Sequence, residues 1–335
     1  MNWLKNVALT GASLLFSFAV GEAAVRGLVA SGYMERPGSH NVAQGKEKAE
    51  YTRHNASKLA NSNPLLTFQY DPADPNINSL GLRGKETTID KPAGVYRIAL
   101  LGDSFTYGFS VALSDIFATR LEQRLNEGSP DKRYEVLNFG RAGYGTVQEV
   151  ELYRTFIRQF KPDEVLLSYV LNDVTDTGFT AELYRANIDY MRTTTALSRK
   201  SLLATWIYIN YHRFNQDKGQ DELWKSMYAE SSAGFLKVQE ALAALAAMTR
   251  EDGVRLRAVI FPELGADAQN YPFTEVHKVI KAALLANGIA TRDLLPDYEQ
   301  YGDWSELIVA SEDQHPNGKG HEIATTAIYE LLSEP

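Results

Sequence analysis

From Tyr96 onward the sequence alternates between short apolar runs and longer segments of helical periodicity, and this alternation limits the possible fold more than any other feature. Short runs rich in Val, Ile, Leu and Tyr that end in glycine or polar residues are typical of buried strands. We predict a strand in each of the runs Tyr96–Leu101, Tyr134–Asn138, Val165–Val170, Leu256–Phe261 and Ile289–Leu294.

Helical spacing of apolar residues predicts helices between and after these strands. They are Phe117–Leu125, Gln148–Phe160, Leu236–Met248, Val276–Ala286 and Ile323–Leu332. Strands that alternate with helices form a mostly parallel sheet whose two faces are covered by helices. The predicted fold class is therefore α/β, a three-layer αβα sandwich around a central, mostly parallel five-stranded sheet. Functional residues in such sheets lie just past the carboxyl ends of the strands.

An apolar run, Val7–Val20, precedes this region. By itself the run is shorter than the ~20 residues that span a bilayer, and it suits the core of a signal peptide. If the helix continues past Glu22 and Arg26, whose charges can pair four residues apart, it is long enough for a membrane anchor. We predict an N-terminal hydrophobic helix over residues 1–31, favour an uncleaved anchor over a cleaved signal segment, and place a buried soluble helix third. Either membrane interpretation puts the rest of the chain outside the cytoplasm.

Two segments lack the alternating pattern. Residues 32–90 are rich in Asn, Ser, Pro, Lys and Glu and are predicted to be a linker and lead-in segment. Within it, 78–83 is either an ordered lead-in or an extended strand that ends in a glycine turn. A helical insertion is predicted at about 176–235, with nine aromatic residues between Phe179 and Tyr228. These aromatics could stack on sugars, shelter an acyl chain, touch a membrane or form the core of a small helical subdomain.

Charge and cysteine content exclude several classes of protein. The net charge of −8 argues against nucleic-acid binding, which needs a basic surface. The chain has no cysteine, which excludes disulfides, thiolate-ligated metals and cysteine nucleophiles but leaves the compartment open.

Polar clusters follow the first two predicted strands. Gly102-Asp103-Ser104 comes directly after the first strand, where a serine lies at the mouth of the sheet and the next helix directs its N-terminal dipole toward it. The stretch Gly140–Gly145 follows the second strand, and its glycines expose backbone N–H groups that can bind an oxyanion. Taken singly, a helix cap explains the first cluster equally well, and a tight turn explains the second.

Two further clusters lie later in the chain. Asn172 follows the third predicted strand, and its amide can donate to the same oxyanion, although a turn or cap is the alternative. His315 precedes the last predicted helix, and a carboxylate two or three residues before it, Asp313 or Glu312, can orient its imidazole. His321 fits a helix start and receives no role.

The order of the four clusters resembles the SGNH (GDSL-like) hydrolase family: serine after the first strand, glycine after the second, asparagine after the third and Asp-x-His before the final helix. The resemblance covers Tyr96 to about Leu332 and implies an SGNH/flavodoxin-like fold, with residues 91–335 as the hydrolase domain.

The resemblance also implies a role for each matching residue. Ser104 is similar to the family's nucleophile, His315 to its general base and Asp313 to the acid that partners the base. The backbone N–H groups of Ser104 and Gly143 and the side chain of Asn172 match the family's oxyanion hole.

The sequence departs from the family pattern at two positions. The third cluster usually has glycine two residues before the asparagine, whereas here Val170 takes that place and could crowd the pocket near the oxyanion. The acid commonly stands three residues before the histidine, a place held here by Glu312. Asp-x-His also occurs among relatives, and we predict that Asp313 is the acid.

The implied activity is that of an extracytoplasmic serine esterase that removes acyl groups, acetyl among them, from a glycan through an acyl-enzyme, without cofactor or metal. The stretches Gly102–Gly108 and Ala142–Glu149 resemble membrane-anchored members associated with bacterial surface polysaccharides. The expected partners are an acylated carbohydrate or other ester, and the membrane through the N-terminal helix, facing the periplasm or cell exterior unless the protein is secreted after cleavage.

Other functions fit the same motifs. An O-acyltransferase would use the same acyl-enzyme with a sugar hydroxyl as acceptor, and a lipase or thioesterase would act on a membrane lipid. A degenerate glycan-binding module is the non-enzymatic alternative, and the intact set of Ser104, Gly143, Asn172 and His315 counts against it because binding alone needs no base.

Overall fold

The apolar runs form one parallel sheet in the structure, a computed structural model. It describes residues 2–34, 36–37, 65–66, 70, 72–129, 131–175, 192–310 and 313–334, without the side chains of 2, 4, 6–8 and 212–220. The strands are β1 (Val95–Gly102), β2 (Arg133–Asn138), β3 (Glu164–Tyr169), β4 (Arg255–Ile260) and β5 (Ala290–Asp293). Their order is β2-β1-β3-β4-β5, and every neighbouring pair is parallel. The predicted five-stranded sheet is confirmed.

Helices cover both faces of this sheet. In chain order the described residues include the helices α1 (Asn2–Ala30), α2 (Ser104–Tyr107), α3 (Phe117–Gly128), α4 (Thr146–Thr155), α5 (Leu202–Met227), α6 (Ala233–Asp252), α7 (Thr274–Ala286), α8 (Leu295–Glu299) and α9 (Gly318–Ser333), and those on the sheet come from its own part of the chain. Because side chains alternate along a strand, Ala99 and Leu101 of β1 pack with α4, α6 and α7, whereas Ile98 and Leu100 pack with α3, α8 and α9. The three-layer αβα prediction is confirmed.

The strand order determines where a site can form. From β1 the chain adds β2 on one side and then crosses back to add β3 on the other. At such a switch point the connections leave the sheet in opposite directions, and a crevice opens at the carboxyl ends of the two strands. Ser104 lies just after β1 and Asn172 just after β3.

Two elements differ from the sequence prediction. The segment before the last helix, where no strand was predicted, contains two short strands, and β6 (Ile308–Ala310) pairs antiparallel with β7 (Asp313–Pro316). The predicted helix Gln148–Phe160 is interrupted, because α4 ends at Thr155 and a 3₁₀ turn, Ile157–Phe160, follows. The 3₁₀ turn still buries both of its end residues, so the apolar spacing is kept while the helix type changes.

The chain divides into two compact units. One comprises Met1–Ala49 with Glu182–Gln220, and the other comprises Glu50–Ala181 with Asp221–Pro335. The sheet and all the candidate site residues belong to the second unit. The domain boundaries predicted at 31 and 90 stay predictions, and residues 176–191 of the predicted insertion lie outside the described residues.

The first unit contains the N-terminal hydrophobic helix. Within α1 the span Leu9–Ala30 has 22 residues and a mean hydropathy of 1.5, which is long and apolar enough to cross a membrane. Glu22 and Arg26 form the predicted ion pair, with 2.7 Å between Oε1 and Nε.

Candidate active site

The four polar clusters meet at the carboxyl end of the sheet. Ser104 is the first residue of α2, directly after β1, and it is 8 % exposed. His315 lies on β7, and its Nε2 is 2.8 Å from Ser104 Oγ. The Nδ1 atom of the same ring contacts Asp313 Oδ1 in a hydrogen bond. The structure therefore brings together the three residues predicted as nucleophile, base and acid.

The β7 strand explains why Asp313 can reach the ring. Successive side chains of a strand point to opposite faces, so residues two apart lie on the same face. Asp313 and His315 have this spacing, and the Asp313 side chain is nearly buried, whereas the His315 side chain is a quarter exposed. Glu312, the alternative acid, lies outside the described residues.

The turn at Ser104 depends on a close backbone approach at Gly102. A Cβ atom at this glycine would lie 2.1 Å from Thr106 Oγ1 and 3.1 Å from the carbonyl oxygen of Ser168. Any side chain would push the first turn of α2 away from β3. Glycine on the strand side of the nucleophile is therefore required by space.

Asp103 connects the serine turn to the third cluster. Its Oδ1 accepts a hydrogen bond from the Phe105 N–H at 2.9 Å and caps α2. Its Oδ2 accepts from Asn172 Nδ2 at 3.0 Å and lies 3.2 Å from Ser104 Oγ. Burial raises the pKa of Asp103, and donation from Asn172 and Phe105 opposes that rise. The serine has one hydroxyl proton, and its shorter contact is with His315.

The predicted oxyanion donors have unused hydrogen-bonding capacity. Among the described residues, the backbone N–H groups of Ser104 and Gly143 have no hydrogen-bond acceptor. Gly143 has φ of 79°, a left-handed conformation that glycine adopts freely. Asn172 donates one of its two amide protons to Asp103, and the second remains for a ligand.

Gly145 lets the second and third clusters approach each other. A Cβ atom there would lie 2.8 Å from the carbonyl oxygens of both Asp173 and Thr175. Val170, which takes the place of the family's usual glycine, is 2 % exposed and packs in the core on the side of α3 and α9. Its side chain is part of the core, and its N–H donates to Asp173 Oδ2 at 3.0 Å.

Two buried acids behind the site were not singled out from the sequence. Glu149, in the first turn of α4, is 1 % exposed, and neither carboxyl oxygen has a partner among the described residues. Burial, and then the charge of Asp103, raises the pKa of Glu149 well above its usual range. Burial and the neighbouring Glu149 and Asp103 do the same for Asp173. The stretch Ala142–Glu149 resembles the family, but no pattern in it predicts that Glu149 is buried.

Aromatic side chains border His315, the predicted base. The Phe109 ring centroid is 5.2 Å from that of His315, and Tyr107 stacks on Tyr70 at 4.4 Å. Tyr107 and Phe109, which we call the aromatic wall, are half-buried. Arg83 supports the wall by donating to the Tyr107 carbonyl at 3.0 Å, with its guanidinium 4.6 Å from the Tyr107 ring centroid. The segment 78–83 is thus an ordered lead-in packed on the first cluster.

His321 takes part in packing, in agreement with the absence of a predicted role. It is fully buried, and its Nδ1 accepts a hydrogen bond from the Phe117 N–H at 3.2 Å. Burial lowers the pKa of His321 to about 3, which keeps the ring neutral.

Comparison with known proteins places the chain in a family. The model of the GDSL-like Lipase/Acylhydrolase family matches residues 100–323. No curated protein sequence matches the chain.

Similar solved structures include two esterases and TesA. One is a two-domain esterase active on acetylated mannans, with 15 % identity and a TM-score of 0.45. The match covers 72 % of this chain and 50 % of that esterase, so this chain spans about half of its length. TesA has 14 % identity and a TM-score of 0.45 over 71 % of this chain and 98 % of its own. A catalytic mutant of an acetylxylan esterase from Geobacillus stearothermophilus has 13 % identity and a TM-score of 0.47 over 72 % and 95 %.

The family match begins in β1, just before the first cluster, and ends inside α9, beyond His315. It covers all four clusters on which the resemblance to SGNH hydrolases was based. The chain belongs to the GDSL-like lipase/acylhydrolase family and is a hydrolase of the SGNH type.

Proposed function

We propose that this hydrolase is a serine esterase that removes acyl groups from a glycan outside the cytoplasm, through an acyl-enzyme on Ser104. The observation that carries the proposal is the continuous hydrogen-bonded chain from Ser104 Oγ through His315 to Asp313. A serine hydroxyl is a weak nucleophile unless a base takes its proton, and a histidine oriented by a carboxylate is the common solution.

The reaction proceeds in two balanced halves. As Ser104 Oγ attacks the ester carbonyl, its proton passes to His315 Nε2. The imidazolium then gives that proton to the departing sugar oxygen, which leaves as an alcohol and the acyl-enzyme remains. A water molecule attacks the acyl-enzyme with His315 again as base, releasing the carboxylic acid and restoring the serine.

The oxyanion is stabilised by donors that are held ready for it. The Ser104 N–H, the Gly143 N–H and the free amide proton of Asn172 bind the negative oxygen in both tetrahedral intermediates. Asp103 fixes the Asn172 amide at 3.0 Å, so the donor needs no reorganisation during the reaction. Asp313 keeps the His315 ring in the tautomer that accepts at Nε2 and stabilises the imidazolium.

A glycan substrate is supported by the aromatic wall. Sugar rings present flat C–H faces that pack on aromatic rings, and Phe109 lies beside the base that must protonate the sugar oxygen. We therefore expect the leaving alcohol to lie against Tyr107 and Phe109.

An extracytoplasmic, membrane-anchored location is supported by α1. Its side chains from 9 to 20 are all exposed, although most are apolar. Such a surface is stable in lipid and costly in water.

Hydrolysis and active-site labelling together test the proposed nucleophile. Ser104→Ala should abolish both p-nitrophenyl acetate hydrolysis and labelling by a fluorophosphonate, and Ser110→Ala, six residues along the same segment, is the matched control. Retention of activity and labelling in purified Ser104→Ala would overturn the proposal.

A second comparison tests the glycan. Phe109→Ala should raise KM for deacetylation of an acetylated oligosaccharide more than KM for p-nitrophenyl acetate. Equal changes on both esters would contradict a sugar-binding role for the wall and leave the nucleophile assignment intact.

A further inference from the structure

The α1 helix changes character at Gly21. Side chains 9–20 are exposed, whereas Gly21 and Glu22 are half-buried and Val25 is 8 % exposed. The covering element is the start of α5, in the same compact unit. A Cβ atom at Gly21 would lie 2.8 Å from Leu203 Cδ2, so the glycine allows the close approach.

Glu22 anchors the start of α5 to α1. Its carboxylate accepts hydrogen bonds from Ser201 Oγ at 2.7 Å, from the Leu202 N–H at 3.0 Å and from the Leu203 N–H at 2.8 Å. The first N–H groups of a helix have no partner within the helix, and a carboxylate satisfies them well. The α5 N-terminus is therefore fixed at the level of Glu22.

The length of the part of α1 that precedes Glu22 indicates where a bilayer would end on this helix. The apolar span Leu9–Ala30 continues past Glu22, and the part of α1 before it, from Trp3 to Val20, is roughly 27 Å long at a rise of 1.5 Å per residue. The hydrocarbon core of a bilayer is about 30 Å thick. If α1 spans a membrane, the hydrocarbon ends near Glu22, and the start of α5 lies at the headgroup layer.

The surface of α5 next to Glu22 has the composition of a membrane interface. From Ser201 to Tyr211 the chain has no charged residue. Trp206, Ile207 and Tyr211 are 45 %, 49 % and 63 % exposed. Tryptophan and tyrosine are enriched at headgroup level because their rings are apolar and their edges polar.

Two cations adjoin this surface. Arg199 and Lys200 are exposed and directly precede Ser201. Basic side chains at a membrane surface are attracted to anionic lipids. An apolar and aromatic surface bordered by cations, and fixed beside an apolar helix, matches a lipid headgroup layer in both polarity and charge.

We propose that Arg199, Lys200, Trp206, Ile207 and Tyr211, which we call the lipid collar, lie in the headgroup layer of the bilayer that α1 spans. Trp206, Ile207 and Tyr211 contact lipid, and Arg199 and Lys200 contact anionic headgroups. The inference rests on the proposed membrane insertion of α1 and is independent of the esterase chemistry. The membrane then has a second contact with the chain besides the anchor itself.

Spin labels at single cysteines test the collar, and the absence of native cysteine leaves the background clean. The variants Leu15→Cys, Ile207→Cys and Tyr33→Cys of the full chain are labelled and reconstituted in vesicles of equimolar phosphatidylcholine and phosphatidylglycerol. Tyr33, which is 85 % exposed and lies three residues past the end of α1, reports the aqueous phase. The measurement is each label's accessibility to oxygen relative to an aqueous nickel complex.

The proposal expects an oxygen-to-nickel ratio for Ile207→Cys that lies between a high value at position 15 and a low value at position 33. If the label at 207 were as accessible to nickel as the label at 33 while position 15 lay in the hydrocarbon, the lipid collar would be wrong. The membrane insertion of α1 would stand. An aqueous label at 15 would overturn both. Ester hydrolysis by the same samples reports the proposed function separately.

The cations are tested in the same system. Adding Arg199→Gln and Lys200→Gln to Ile207→Cys should raise nickel accessibility at 207, as should vesicles without phosphatidylglycerol. Lys278→Gln, an exposed lysine of α7, is the matched control and should change nothing. No response to either change would exclude anionic headgroups as the partners of Arg199 and Lys200.

Discussion

Some residues of the site are proposed to react with the ester, and others fix the positions of the reacting side chains. Asp103 belongs to the second kind, because its two oxygens bind the first turn of α2, the serine and the Asn172 amide at once. It links Ser104, the proposed nucleophile, to Asn172, a proposed oxyanion donor, and these two residues follow different strands. The Gly-Asp-Ser motif could be recognised in the sequence, but this role could not, because it depends on the distance between β1 and β3.

Substitution of the two neighbouring acids, Asp313 and Glu312, tests which of them orients His315. Asp313→Asn should lower kcat by up to about 10⁴, as expected when the histidine loses its orienting carboxylate. Glu312→Gln should leave kcat close to that of the wild type. Steady-state kinetics of both variants on one soluble ester measure the two losses in kcat. A larger loss for Glu312→Gln would assign the acid to position 312.

The oxyanion donor is tested by its effect on kcat. Asn172→Ala should lower kcat by about 10²–10³ with a smaller change in KM, because the negative oxygen exists in the transition state and not in the bound ester. Saturation kinetics on p-nitrophenyl acetate separate the two constants. If KM carried the main effect, Asn172 would bind the substrate instead of stabilising the oxyanion.

Among the helices and strands, those with buried apolar runs could be predicted, and those defined by pairing could not. The central strands β1 and β3 are largely apolar and buried on both faces, so both were evident in the sequence. The β7 strand, Asp-Gln-His-Pro, has no apolar alternation, and its extended form depends on pairing with β6. The parallel-sheet rule predicted the edge where Ser104 and Asn172 both contact Asp103, but not the strand that carries His315.

The Glu22 contact makes a prediction for α5. Glu22→Ala should remove three hydrogen bonds from the N-terminus of α5. The expected cost is about 1 kcal/mol of local stability, a typical value for a lost helix cap. Hydrogen exchange of the full chain in detergent should then be faster at the amides of Leu202 and Leu203. Glu222→Ala, an exposed change farther along α5, should leave these amides unaffected. Unchanged exchange in Glu22→Ala would contradict the proposed link.

Over the whole molecule, the buried acids behind the site should make stability depend on pH. Glu149 is faced by Asp103 at the end of β1 and by Asp173 and Tyr169 at the end of β3. Sequence patterns do not reveal such a cluster, because its members are far apart in the chain and acids are usually exposed.

The direction of the pH dependence follows from the raised pKa of Glu149 in the folded state. The stabilisation that the neutral Glu149 carboxyl gives to the folded state is complete below its unfolded-state pKa of about 4.5. This stabilisation is lost as pH rises through the pKa of Glu149 in the folded state. Thermal unfolding should therefore show a Tm that falls more steeply from acid to alkaline pH in the wild type than in Glu149→Gln. Glu275→Gln, an exposed change on α7, should keep the wild-type slope. Equal slopes in all three proteins would mean that Glu149 does not hold its proton.

The central claim is that the ester carbon becomes covalently bound to Ser104. The most direct measurement is peptide mapping by mass spectrometry after the wild-type protein reacts with a fluorophosphonate. The account predicts one phosphonyl group per chain, on the peptide that contains Ser104, and a large reduction of labelling in His315→Ala, because the serine then lacks its base. A stable adduct on any other residue, or stoichiometric labelling of Ser104→Ala, would contradict it.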